Sequence, residues 1–332
     1  MKKYKVKKNN SVCAKVAIEC CAMLVLLYPM AHIYVFLSGT KEPFHRGFYC
    51  DDQTIKHPVY DEEIPLSIAF VIWAVIVFTL IPAIELLHIT VFEHLSPAPI
   101  KRMPWLFIEL YRILGYFILG ALFTLLTTEM AKFKIGRLRP YFLTVCDPDF
   151  TDTKCKDEHG YNIFVEAGKY KCRGEEEAVR EARKSFLSGH TSLSFYTAIF
   201  LIIYIQVRCR KMSSEYYDDS KRDSVRTCRI LFSGMKIVRP FLQFGIFCLA
   251  VYITLTRISD YKHHPGDVFA GIVVGTFFAL LTVIFVMDLF QQPRSFKLEE
   301  TEDTNLDRIE NDGEQRTDNG GPEGMRMRNQ TE

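Results

Sequence analysis

Three polar clusters in this chain hold residue types that could do chemistry together. The first is Lys132-Phe-Lys-Ile-Gly-Arg-Leu-Arg139-Pro140. Lysine brings a mobile point charge, and arginine a planar fork matched to phosphate oxygens. The second is Phe186-Leu187-Ser188-Gly189-His190. Placed at a helix start, it has free N–H groups and the positive end of the helix dipole to offer an anion. Gly189 permits close approach to the backbone, Ser188 adds a hydroxyl donor, and His190 can move a proton near neutral pH. The third is Arg257-Ile-Ser-Asp-Tyr-Lys-His263-His-Pro-Gly-Asp267. His263 and Asp267 stand four residues apart, and a helix beginning near Pro265 would turn Asp267 back toward the imidazole. A carboxylate on one ring nitrogen orients the ring and leaves the other to attack. The sum is a nucleophile, its orienting acid, a proton donor and several cations, which is what phosphoryl transfer asks for.

Each cluster alone has a plainer explanation. Basic residues at a bundle end can be interfacial anchors. Ser188 can be a simple helix cap, and neighbouring His264 shows that a histidine in the third cluster need not be catalytic. What joins the clusters is where the intervening elements put them. Of the 332 residues 48% are hydrophobic, in long blocks separated by charged segments. A membrane-crossing helix needs roughly 20 apolar residues. Six segments qualify, about 12–37, 64–90, 105–130, 186–207, 237–256 and 267–290. Only helices satisfy their own backbone groups one segment at a time in lipid, so the expected architecture is an all-α, six-transmembrane helix bundle. The apolar run at 12–37 is too long for a signal peptide and is expected to stay as the first span.

Lys and Arg in short loops set the orientation. The tail at 1–11 is basic, as are the loop at Lys101-Arg102 and the stretch from Arg208 to Arg229. With six spans all three fall on one side, the cytoplasmic one. The membrane domain is expected over 12–290, with a tail over 291–332 that is rich in Glu, Asp, Asn and Gly and is expected to be disordered on the same side. Sequons at Asn9 and Asn329 then carry no glycan. The loop 131–185 and the elbow 257–266 face outward, extracellular or lumenal. Lys132, Lys134, Arg137 and Arg139 break the charge rule there, as expected of charges kept to bind something.

The net charge of +2 gives no reason for nucleic-acid binding. Cys50, Cys146, Cys155 and Cys172 fall on the outer side, where disulfides persist. Four cysteines allow three pairings, with Cys155–Cys172 a first guess. Within the spans, Glu19, Glu85, Glu109 and Arg112 are charged, and Glu109 with Arg112 has the spacing of a structural pair. No Asp/His cluster has the look of a metal site, and no cofactor is expected.

Lys132…Arg139-Pro140 matches K-x6-R-P, Ser188-Gly189-His190 the end of P-S-G-H, and Arg257…His263…Asp267 the end of S-R-x5-H-x3-D. In these motifs the chain resembles the type 2 phosphatidic acid phosphatase superfamily. Its flanking text, Cys-Asp-Pro-Asp after Val145 and Arg-Ile-Ser-Asp-Tyr-Lys-His-His, is similar to the animal lipid phosphate phosphatases. Leu187 replaces the motif's proline and Thr256 its serine; neither change removes a reactive group.

The resemblance implies a magnesium-independent phosphoric monoester hydrolase. It would act on phosphatidate, lysophosphatidate, ceramide 1-phosphate or sphingosine 1-phosphate through a phosphohistidine. His263, His190 and Asp267 would be catalytic. Lys132, Arg139, Ser188, Gly189 and Arg257 would hold the phosphate. It also implies self-association as a homo-oligomer. The plasma membrane is the expected location, although an internal membrane fits the same sequence. Relatives acting on polyprenyl diphosphates or soluble sugar phosphates are disfavoured by the flanking text. A silent lipid-binding scaffold is disfavoured by the presence of both histidines, and a transporter by the lack of paired broken helices.

Overall fold

The apolar blocks become long helices because a helix satisfies its own backbone groups along an apolar run. The computed structural model describes residues 21, 24–25, 28–36, 42–95, 102–149, 154–219 and 226–291. All of them belong to one unit, Ala14–Gln291. The tails expected at 1–11 and beyond 291, the two sequons and Glu19 lie outside the described residues. The first expected span, 12–37, is described only in part, and those residues are helical (α1, described over 28–36).

The bundle is formed by α2 (Leu66–Leu95), α3 (Arg102–Ile135), α6 (Gly189–Asp219), α7 (Arg226–Ser259) and α8 (Pro265–Gln291). These five are the helices long and apolar enough to cross a membrane among the described residues. α6 is the hub, packed against α2, α3, α7 and α8. Its inward face brings Tyr196, Phe200, Leu201 and Tyr204 into a core shared with Trp73, Ile81, Ile113 and Ile253. Outer faces of the other helices present Phe70, Phe78, Phe241, Phe269 and Phe277. A helix that is apolar on its exposed side is suited to lipid.

Two glycines set the closest helix approach. A Cβ on Gly275 of α8 would lie 2.2 Å from the Ser192 carbonyl oxygen, and one on Gly271 would lie 2.9 Å from that of Ser188. Small residues four apart let two helix backbones meet, as in membrane bundles generally. This contact sets the start of α6 beside the start of α8.

Several boundaries differ from the sequence expectation. α3 continues to Ile135, so Lys132 and Lys134 ride its last turn instead of following it. No breaker occurs before Gly136, which adopts φ 55°. The basic stretch expected as a loop after the fourth span is mostly helical, since α6 runs to Asp219 and α7 begins at Arg226. Its Glu, Arg, Lys and Met content favours helix once the flanking turns are nucleated. Pro82 and Pro240 lie inside α2 and α7 without ending them.

The outer segment is not a plain loop. It contains α4 (Phe142–Cys146) and α5 (Glu176–Ala182). It also holds two short antiparallel ladders, β1 (Phe48–Tyr49) with β3 (Phe164–Val165) and β2 (Pro148–Asp149) with β4 (Lys171–Cys172). Phe48, Ile55, Leu138, Phe142 and Tyr170 form a second small core beneath it. The disulfides are Cys50–Cys155 and Cys146–Cys172, which corrects the Cys155–Cys172 guess. The β2–β4 register pairs Pro148 with Cys172, and that brings Cys146 within reach. Far from this end, Glu85 and Arg208 form a fully buried ion pair joined by the Tyr204 hydroxyl, which donates to Glu85 at 2.5 Å.

Candidate active site

The site is built where α3 ends, α6 and α8 begin, and α7 turns into α8. α3 supplies Lys132, whose Nζ pairs with Glu129 Oε1 at 2.8 Å one turn back. The same Nζ lies 3.5 Å from where a Cβ on Gly189 would stand, so the ammonium overhangs the start of α6. Gly136 then reverses the chain. A Cβ there would meet the Phe44 carbonyl oxygen at 1.9 Å, so only glycine fits this left-handed turn. Beyond it the chain runs extended, with Arg139 N donating to Ala182 O at 2.8 Å and Ser185 N to Arg137 O at 3.0 Å. That clamp buries the Arg139 side chain, which forms an ion pair with Glu181. Arg139 Nε is buried and has no hydrogen-bond partner. An orphaned guanidinium N–H is costly in a folded protein unless something else occupies it.

At the start of α6, Ser188 N donates to the Asp267 carbonyl at 3.2 Å, which ties this helix to α8. Ser188 Oγ accepts from Thr191 Oγ1 at 3.1 Å. The N–H groups of the first helical turn have no intrahelical acceptor. Leu187, in the place of the motif's proline, is buried, and the Phe186–Leu187 peptide is cis.

The end of α7 supplies Arg257, wholly buried. Its Nη1 lies 3.3 Å from His190 Nε2 and 3.4 Å from Glu62 Oε2; its Nη2 donates to Asp260 Oδ2 at 3.0 Å. Thr256 Oγ1 accepts from Arg257 Nε at 3.1 Å and Nη2 at 2.9 Å. The hydroxyl that departs from the family serine therefore holds the arginine in place.

His263 follows in the elbow, 4% exposed. Its Nδ1 lies 2.7 Å from the Ser185 carbonyl oxygen. A carbonyl only accepts, so Nδ1 carries the proton and Nε2 keeps its lone pair. Burial, followed by the charges of Arg139 and Lys132, pushes the His263 imidazole well below the ordinary histidine range. That shift favours the neutral ring. His264 faces elsewhere, its Nε2 3.0 Å from Leu138 O.

Asp267 is placed differently from the sequence expectation. Its Oδ2 is 3.9 Å from His263 Nδ1, too far for a hydrogen bond. Instead Oδ1 accepts from Arg137 Nη1 at 2.7 Å, and Oδ2 accepts from Ser185 Oγ at 2.6 Å and the His264 N–H at 3.1 Å. The carboxylate fixes Ser185, and the Ser185 carbonyl fixes the imidazole. An acceptor on the backbone takes the place that a carboxylate was expected to fill. Ser185 carries no motif signature, and its role could not be read from residue type. Arg137 was visible only as one more basic residue.

The structure thus brings Lys132, Arg139, Ser188, Gly189, His190, Arg257, His263 and Asp267 to one end of the bundle. Among the described residues, no group of three or more His, Cys, Asp or Glu side chains is arranged to hold a metal ion.

A multi-span helix bundle with two histidines in a basic cradle at one end defines a class of membrane-embedded phosphoryl-handling proteins. The profile of the PAP2 superfamily matches residues 113–291. Phospholipid phosphatase 1 of Rattus norvegicus is 36% identical over 264 residues, covering 80% of this chain and 83% of that protein. The putative phosphatidate phosphatase of Drosophila melanogaster is 33% identical over 303 residues, covering 86% and 72%. Phospholipid phosphatase 2 of Homo sapiens is 32% identical over 288 residues, covering 86% and 88%. The chain belongs to the PAP2 superfamily. No solved structure gives a significant match.

Proposed function

We propose that this chain is an integral membrane lipid phosphate phosphatase, a phosphatidate phosphatase-type hydrolase acting through a phosphohistidine. The observation that carries this reading is the protonated Nδ1 of His263 on the Ser185 carbonyl, 2.7 Å away, which leaves a neutral Nε2 beside buried cations. His263 Nε2 attacks phosphorus and forms the N–P bond as the ester P–O bond breaks. His190, protonated once the phosphate dianion binds beside it, gives its proton to the departing alkoxide. It then takes a proton from water, whose oxygen attacks phosphorus. The N–P bond breaks, orthophosphate leaves and His263 is restored. Lys132, Arg139 and Arg257 offset the charge on the equatorial oxygens, with Ser188 and the Gly189 N–H. Preorganised charge supplies most of the rate in phosphoryl transfer. Asp267 acts one bond removed, through Ser185.

Substrates are phosphatidate, lysophosphatidate, ceramide 1-phosphate or sphingosine 1-phosphate, whose tails stay in lipid while the phosphate meets the bundle end. The distribution of Lys and Arg supports a site on the extracellular or lumenal face, both termini in the cytoplasm, and a membrane domain over 12–290 flanked by tails. Residence in the plasma membrane and self-association belong to the same reading. The test is phosphate release from these lipids in mixed micelles by purified protein, with and without chelator. Turnover should survive chelation, be abolished by His263→Ala, and persist largely in His264→Ala. Chelator-sensitive turnover restored by magnesium, or equal loss in both variants, would refute the mechanism.

A further inference from the structure

The elbow carries one cation that the motifs do not assign. Lys262 is 8% exposed. Its ammonium sits 5.0 Å from the centroid of the Tyr141 ring. Each cation of the cradle has a carboxylate at hand: Lys132 has Glu129, Arg139 has Glu181, and Arg257 has Asp260 and Glu62. Lys262 feels Glu62 and Asp260 only at a distance, and the charges of Arg139 and Arg257 act against it. Among the described residues no carboxylate lies within ion-pair distance of this ammonium, so it stands among like charges without a direct partner. Tyr141 offers a ring face and little more.

We propose that Lys262 is a further substrate-binding residue, a fourth cation that completes the anion cradle and contacts the phosphoryl oxygens of a bound phosphate monoester. This rests on the phosphatase reading above. The elbow geometry fixes its place. The Lys262 and His263 N–H groups both donate to the Arg257 carbonyl at 3.1 Å, so the lysine is held between the arginine and the nucleophile. A dianion seated on Arg139 and Arg257 supplies the partner that no carboxylate gives Lys262.

The experiment uses the full chain in lipid nanodiscs and compares wild type with Lys262→Met, Lys262→Arg and Tyr141→Leu. Two quantities are read: the inhibition constant of inorganic phosphate against a lipid monophosphate substrate, and the melting temperature without ligand. A hydrogen bond to a charged group lost from the cradle should weaken inhibition by phosphate about 10- to 100-fold in Lys262→Met. Lys262→Arg should restore most of that loss. Lys262→Met should melt at or above the wild-type temperature, because it removes a charge that Arg139 and Arg257 oppose. A merely structural lysine predicts the reverse: a lower melting temperature, unchanged phosphate inhibition, and the same defect in Tyr141→Leu. Unchanged phosphate inhibition in Lys262→Met overturns the proposal. A wild type that releases no phosphate from any lipid refutes the phosphatase reading instead, and direct binding of inorganic phosphate then tests Lys262 alone.

Discussion

Gly275 makes the most exacting test of how the fold positions the site. An added Cβ there would stand 2.2 Å from the Ser192 carbonyl oxygen and 2.9 Å from the Tyr196 nitrogen, both backbone atoms of α6. Backbone cannot swing aside as a long side chain does. Restoring an ordinary contact of 3.4 Å requires α6 and α8 to part by about 1 Å at this level. Overpacking of this kind costs about 1–3 kcal/mol. The two helices carry His190 and Asp267 at their starts, so the gap opens across the site. A misplacement of about 1 Å can cost about 100-fold in rate. Gly275→Ala should therefore lower both the melting temperature and kcat, with kcat falling about 100-fold. The control is Gly245→Ala in α7, where nothing lies within 4 Å of the added carbon. Alanine there should leave the rate unchanged and favour the helix slightly. The assay is phosphate release from micellar lysophosphatidate beside a thermal melt in the same detergent. If Gly275→Ala matches Gly245→Ala in both, the close crossing does not position the site.

The depressed His263 makes stability depend on pH. Its folded-state value lies below the unfolded one, so the unfolded chain binds more protons below about pH 6.5 and stability falls as pH drops through that range. Wild type should lose melting temperature from pH 7 to pH 5 more steeply than His263→Asn, and parallel slopes would contradict the placement. Ser185→Ala removes one donor to Asp267 but keeps the carbonyl that holds the ring, so it should cost about tenfold in kcat. Asp267→Asn, which leaves Arg137 without its charge partner, should cost considerably more; kcat for the pair in one assay decides it. Cys146→Ser should lower the melting temperature, since the bond closes a separation of 26 residues and is worth about 3 kcal/mol. Reductant should lower the wild-type melting temperature and leave that of a variant lacking both disulfides unchanged.

What the sequence announces, and what it hides, follows from chemistry. Lys132, Arg139, His190, Arg257 and His263 stand out because charged and titratable groups are expensive beside apolar spans. Their convergence was legible from an even alternation of spans. Ser185 was not, because a backbone carbonyl has no signature in residue type. The partners of Asp267 were hidden for the same reason: i,i+4 spacing gives proximity, but only the competing donors Arg137 and Ser185 decide where the carboxylate points. The cystine pairing waited on the β2–β4 register, which two-residue strands cannot declare in advance. Helix ends shifted because Gly136 stops α3 more abruptly than the change in polarity does.

The carboxylates beside the cations bear on the second half of turnover. A seat made only of lysine and arginine would grip orthophosphate tightly and hold it after the reaction. Here Glu129, Glu181, Asp260 and Glu62 wait next to Lys132, Arg139 and Arg257. When the anion departs, each side chain returns to a neighbour already in place. Leaving is thereby made easier, and the vacated pocket stays close to neutral, with little attraction for chloride.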